Sequence, residues 1–119
     1  MALEFALDAT AEGRYDTGAE GDWGPVIRGL LGDLARRESP GRCSARFHRA
    51  MAELIVDAAR REKIPDVVLS GGCFQNRPLA EEAVRRLREE GFRPCLQRRL
   101  PPNDGGIAAG QIASLLWRP

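Results

Sequence analysis

The clearest periodicity in the chain lies between residues 42 and 63, where Phe47, Met51, Leu54, Ile55, Ala58 and Ala59 recur at spacings of three and four among charged neighbours. That period describes one face of an α-helix, so a long amphipathic helix is predicted over about 42–63, broken by Pro65. Val67, Val68 and Leu69 then form a short continuous apolar run bounded by Gly71 and Gly72. The pattern is that of a strand buried on both faces, and such strands are usually parallel. A helix is predicted over about 77–90, with Pro78 in its first turn, Leu79, Ala83 and Leu87 on one side and Gly91 as its stop. Residues 92–96 return as a strand. The unit is therefore expected to be two adjacent parallel strands joined by a right-handed helical crossover, with the long helix packed on one face.

Before the long helix, Asp22 is positioned to cap a helix over about 24–37, with Pro25 in its first turn and Val26, Leu30, Leu31 and Leu34 as its buried stripe. Ser39, Pro40 and Gly41 are expected to end it. Residues 1–11 read as a short helix without a capping residue, and 12–22, with Gly13, Gly18 and Gly21, as a loop with room for a short strand at 14–16. A loop over 101–106 and an apolar helix over 107–117 close the chain. Two strands and a weak third are few to support four or five helices, because a parallel sheet needs several strands and cover on both faces. The pattern reads as the C-terminal part of a larger α/β domain.

The composition narrows the function classes. At 119 residues, 43% hydrophobic and 29% charged, the chain suits one globular domain or a piece of one. Eighteen basic against seventeen acidic residues leave a net charge of +1, so no bulk field gathers nucleic acid or an anionic membrane, and neither is expected as a partner. Lys63 is the only lysine, a bias given no functional weight. Cys43, Cys73 and Cys95 form no CxxC pair, and their odd number argues against a disulfide framework. No signal peptide or membrane-length apolar run appears, so a cytoplasmic setting is expected.

Two motifs carry candidate chemistry. In Leu69-Ser70-Gly71-Gly72-Cys73-Phe74-Gln75-Asn76 a strand runs into a glycine pair and then a polar residue before a helix. Ligands of open α/β sheets sit beyond the carboxyl ends of strands, and glycines let backbone N–H groups approach a phosphate. The plainer alternative is a tight turn with Asn76 as an ordinary N-cap. Neither the Walker A pattern nor the GxGxxG fingerprint is present. In Pro101-Pro102-Asn103-Asp104-Gly105-Gly106, Asp104 could bind a cation held against nucleotide phosphates, or simply cap the last helix. His48, the only histidine, is expected to be packed or hydrogen-bonded rather than a metal ligand. Cys73 is expected to be a packed thiol, and Arg98 and Arg99 a solvated pair.

Together with Ala45-Arg46-Phe47-His48 and Gly110-Gln111, these motifs resemble, in this order, the C-terminus of the HypF carbamoyltransferases, the nickel–iron hydrogenase maturation factors. The resemblance spans residues 1–119, weak over 1–21 and strong from Ala45 onward; SGGxFQN combined with PPNDGG is its specific signature. It implies an α/β lobe of the actin-like, sugar-kinase-like ATPase fold, with a short parallel sheet and flanking helices, as the second lobe of the carbamoyltransferase domain. By the same implication the substrates are carbamoyl phosphate and ATP, the intermediate is carbamoyl-adenylate, and the acceptor is the C-terminal cysteine of HypE. Gly71 and Gly72 would face the nucleotide phosphates, Asn76 would lie near the nucleoside, and Asp104 would be this lobe's ligand to a divalent metal ion, iron or zinc. The family's other domains and its metal-binding histidine pair cannot be placed on these residues, which implies a fragment inactive alone, paired with an N-terminal fragment if active. Alternatives are a related O-carbamoyl or tRNA threonylcarbamoyl transferase lobe, and a non-catalytic module that binds a partner.

Overall fold

The computed structural model describes residues 2–117. Its elements are α1 (Ala2–Phe5), α2 (Gly24–Ala35), α3 (Pro40–Glu62), β1 (Asp66–Leu69), α4 (Arg77–Glu89), β2 (Arg93–Leu96) and α5 (Ile107–Leu116), with short 3-10 turns at Ala19–Gly21, Gly72–Gln75 and Asp104–Gly106. The expected mixed architecture is present. β1 and β2 pair in parallel, with Asp66 opposite Arg93 and Leu69 opposite Leu96. The first pair is also an ion pair, Arg93 Nε standing 2.7 Å from the Asp66 carboxylate.

The core lies where α3 and α4 pack on the sheet. Ala52, Val56 and Ala59 of α3 meet Ala83 and Leu87 of α4 and Leu69 of β1, with Ile55, Val67, Phe74, Val84 and Phe92 around them. Three alanines at this contact let the helix backbones approach closely, and burial of a side chain such as Leu87 stabilises by about 2 kcal/mol. A second cluster joins α2 to the other side of α3 through Tyr15, Val26, Ala50, Met51 and Leu79.

Several boundaries and faces differ from expectation. Ser39 and Pro40 begin α3 rather than ending α2: the Ser39 hydroxyl accepts the Arg42 N–H at 3.3 Å, and Pro40 takes the first turn, where its missing N–H costs nothing. α2 stops at Ala35, and Arg37 takes a left-handed φ of 57°. Asp22 does accept the Gly24 N–H at 2.8 Å, although Trp23, which makes no side-chain capping bond, holds the N-cap position. On α2 the buried face holds Val26 and Asp33, while Leu31 and Leu34 are exposed. Residues 14–16 form no strand, and the first helix is short; Met1 of the expected helix lies outside the described residues. β1 is covered on one face only, for Leu69 is 3% exposed and Val68 69%. α5 forms as expected, yet none of its residues is buried. Among the described residues no helix is long and apolar enough to cross a membrane.

Candidate functional site

The two motifs converge at the carboxyl ends of the paired strands. β1 leads into Gly71, whose φ of 110° is open to glycine and strained for other residues. The Gly71 N–H donates to the Pro102 carbonyl at 2.6 Å, which pins the glycine turn to the loop carrying Asp104. Gln97 Nε2 adds a bond to the Ser70 hydroxyl at 3.2 Å. With the Gly71 N–H committed, the N–H groups of Gly72 and Cys73 open the following turn and have no backbone partner among the described residues. A Cβ built on Gly72 meets nothing within 4 Å, so the space over it is open.

Asn76 closes this turn and starts α4. Its Oδ1 accepts the Leu79 N–H at 3.0 Å, the N-cap of the plainer alternative reading, and its Nδ2 lies 2.8 Å from His48 Nε2. His48 is buried on α3 and hydrogen-bonded, in keeping with the sequence reading. Cys73 is exposed, so no packing holds its thiol. Beside the turn lies an apolar cavity of about 690 Å3 between α3 and the Gly72–Asn76 segment. It is lined by Phe47, Met51, Leu54 and Ile55 of α3, by Phe74 and Leu79, and by Trp23.

In the second motif Asn103, not Asp104, caps the turn, accepting the Gly105 N–H at 3.0 Å. A Cβ on Gly106 would stand 3.1 Å from the Pro101 carbonyl oxygen, so the glycines allow the loop to close tightly. Asp104 is exposed and has no side-chain bond among the described residues. Its surroundings do not make up a metal site: among the described residues no three His, Cys, Asp or Glu side chains stand close enough to hold one ion. A single exposed carboxylate does not retain a transition metal.

Sequence reasoning missed two buried carboxylates. Asp33 of α2, 1% exposed, accepts the Tyr15 hydroxyl at 2.9 Å and guanidinium bonds from Arg36 and Arg46 at 2.6 Å each. Burial alone would raise its pKa, but the bonds from Arg36, Arg46 and Tyr15 outweigh it and hold the carboxyl at about 2. Burial, followed by hydrogen bonding toward Cys43 and Asp33, pushes the Tyr15 phenol up. Glu53 of α3 is ringed by Arg14 at 2.6 Å, Arg60 at 3.3 Å and Arg86 at 3.1 Å. These clusters tie α2, α3, α4 and the loop at Arg14–Tyr15 together. Above Asp33 opens a polar pocket of about 510 Å3 lined by Arg14, Arg28, Arg36 and Arg46.

The family described as carbamoyltransferase, Kae1-like domain, second subdomain, matches residues 1–111. The carbamoyltransferase HypF of Synechocystis sp. is 37% identical over 91 residues, covering 76% of this chain and 12% of that protein. The HypF of Rhizobium leguminosarum bv. viciae is 40% identical over 99 residues, covering 78% of this chain and 13% of its own. The chain thus spans about an eighth of the length of these relatives. A crystal structure of full-length HypF in the phosphate- and nucleotide-bound form superposes with a TM-score of 0.76 at 30% identity, over 96% of this chain and 17% of that one. The chain belongs to the HypF carbamoyltransferase family, within the second subdomain of its carbamoyltransferase domain.

Proposed function

We propose that this chain forms the nucleotide-facing wall of a HypF-type active site, which transfers a carbamoyl group from carbamoyl-adenylate to the C-terminal cysteine of HypE during nickel–iron hydrogenase maturation. The observation that carries this reading is the bond from Gly71 to Pro102, which fixes the glycine turn and the Asp104 loop together at the strand ends, beside an apolar cavity. An adenylate presents an apolar base and an anionic phosphate. The cavity suits the first, and the N–H groups of Gly72 and Cys73 suit the second. The fixed dipoles of the turn would stabilise the phosphate as negative charge builds on the departing AMP. Gly71 then acts by shaping the loop, and Asn76 by holding the turn against α4 at the nucleoside side. Asp104 would supply one ligand to a divalent iron or zinc ion whose other ligands come from outside this chain.

ATP and carbamoyl phosphate are the substrates this reading implies. One wall of a cleft leaves a bound nucleotide wet and poorly oriented, so the chain by itself is proposed to be inactive and to need the rest of a HypF. The test is to incubate the purified chain with ATP, carbamoyl phosphate and HypE, following pyrophosphate release and the carbamoyl mass shift on the tail cysteine. Turnover only after adding the remaining part of a HypF is the expected result. Turnover by the chain alone would refute the half-site reading.

A further inference from the structure

The glycine turn is anchored by a side chain to which the reading above gives no task. His48 is 3% exposed on α3. Its Nδ1 lies 2.8 Å from the Ser44 carbonyl oxygen and 3.3 Å from the Ser44 hydroxyl, and its Nε2 lies 2.8 Å from Asn76 Nδ2. These partners admit one proton arrangement. The Leu79 N–H is a donor, so the Asn76 atom facing it at 3.0 Å must be oxygen, which turns the amide NH2 toward His48. An NH2 group only donates here, so Nε2 must be bare. A carbonyl only accepts, so Nδ1 must carry the proton.

We propose that His48 is a positioning residue for the nucleotide turn: a neutral imidazole protonated on Nδ1, whose bare Nε2 fixes the orientation of the Asn76 amide and thereby couples α3 to the Gly71–Asn76 turn. This rests on the reading of that turn as nucleotide-facing. Asn76 is the pivot because its backbone belongs to both neighbours, its N–H donating to the Cys73 carbonyl at 3.1 Å and its carbonyl accepting from Ala80 at 3.0 Å. Removing the acceptor at Nε2 leaves the half-buried amide free to turn over. The overturned amide would present NH2 to the Leu79 N–H and lose the cap of α4. Arg49 on α3 and Glu81, Glu82 and Arg85 on α4 line a cavity of about 370 Å3 together with His48, and Glu4 of α1 accepts the Arg77 N–H at 3.0 Å beside Asn76. Among the described residues only Ser44 and Asn76 hydrogen-bond the ring.

Nitrogen NMR of the His48 ring in the chain at neutral pH is expected to show the Nδ1-protonated neutral form with Nε2 accepting a hydrogen bond. In Asn76→Asp the carboxylate still caps α4 but offers Nε2 an acceptor, so the ring is expected to gain a proton on Nε2. In His48→Phe, amide exchange at Phe74 and Leu79 is expected to rise at least about tenfold while that at Leu87 is unchanged. A wild-type ring protonated on Nε2, or an unaltered ring in Asn76→Asp, would overturn the proposal, as would exchange in His48→Phe that rises equally at Leu87. Should His48→Phe not fold, the two ring spectra decide. No nucleotide enters these measurements. Failure of ADP to bind the wild-type chain would therefore count against the nucleotide reading alone.

Discussion

Replacing Asp33 by asparagine removes one negative charge from a site 1% exposed while keeping the shape of the side chain. The wild-type carboxylate takes hydrogen bonds from Tyr15 at 2.9 Å and from Arg36 and Arg46 at 2.6 Å each. Burial would raise its pKa, yet these bonds hold it at about 2 against an ordinary value of 3.8. That difference corresponds to at most about 2 kcal/mol of charge-specific stabilisation. Solvent screens part of it, because the Arg36 side chain is 69% exposed. Asp33→Asn is therefore expected to cost about 1–2 kcal/mol at neutral pH. Because folding lowers the pKa, the stabilisation is present in full above the unfolded value of 3.8 and is lost as pH falls through about 2. Urea unfolding followed by circular dichroism over a pH series measures this. The gap between wild type and variant should hold from neutral pH to about pH 5 and shrink steadily below 3.8. Equal stability at neutral pH, or a gap that widens on acidification, would refute the reasoning.

Three further variants separate fold from site. Gly72→Val places its side chain where nothing lies within 4 Å, so the Tm of the chain should not change, while adenylate binding by a complete HypF carrying the same change should be abolished. Gly29→Ala would put a Cβ 2.6 Å from Tyr15 Cδ1, displace the ring from Asp33, and cost about 1–3 kcal/mol in urea unfolding. Glu53→Gln strips the buried partner from Arg14, Arg60 and Arg86 and should lower stability by about 1–3 kcal/mol, with the loss smaller at high salt because the arginine side chains are partly exposed.

The elements with strong local rules were legible in the sequence. Pro78 and Gly91 bracket α4, and its apolar positions Leu79, Ala83 and Leu87 are buried. The turn chemistry between α2 and α3 was visible but assigned to the wrong helix: Ser-Pro is a helix start, and the structure uses it as one. On α2 two stripes compete, Val26, Leu30 and Asp33 against Ile27, Leu31 and Leu34. The expected stripe of Val26, Leu30, Leu31 and Leu34 drew on both, and the structure buries Val26 together with Asp33 while leaving Leu31 and Leu34 exposed. A carboxylate can be buried there because Tyr15, Arg36 and Arg46 converge on it from three segments, and no local pattern shows that convergence. Glu53 escaped notice for the same reason. The glycine turn and the Asp104 loop were each recognisable as motifs. Their contact through Gly71 and Pro102 joins residues that lie far apart in sequence, so only the fold reveals it.

The most direct test of the nucleotide-facing wall is to map ADP on the chain by amide and methyl NMR at millimolar ligand, where weak binding remains visible. The amides of Gly72, Cys73 and Phe74 and the methyl groups of Met51 and Leu54 should shift saturably, and Gly72→Val should abolish the shifts without unfolding the chain. The contrary result is an absence of shifts at these residues, or shifts gathered instead in the polar pocket of Arg14, Arg28, Arg36 and Arg46.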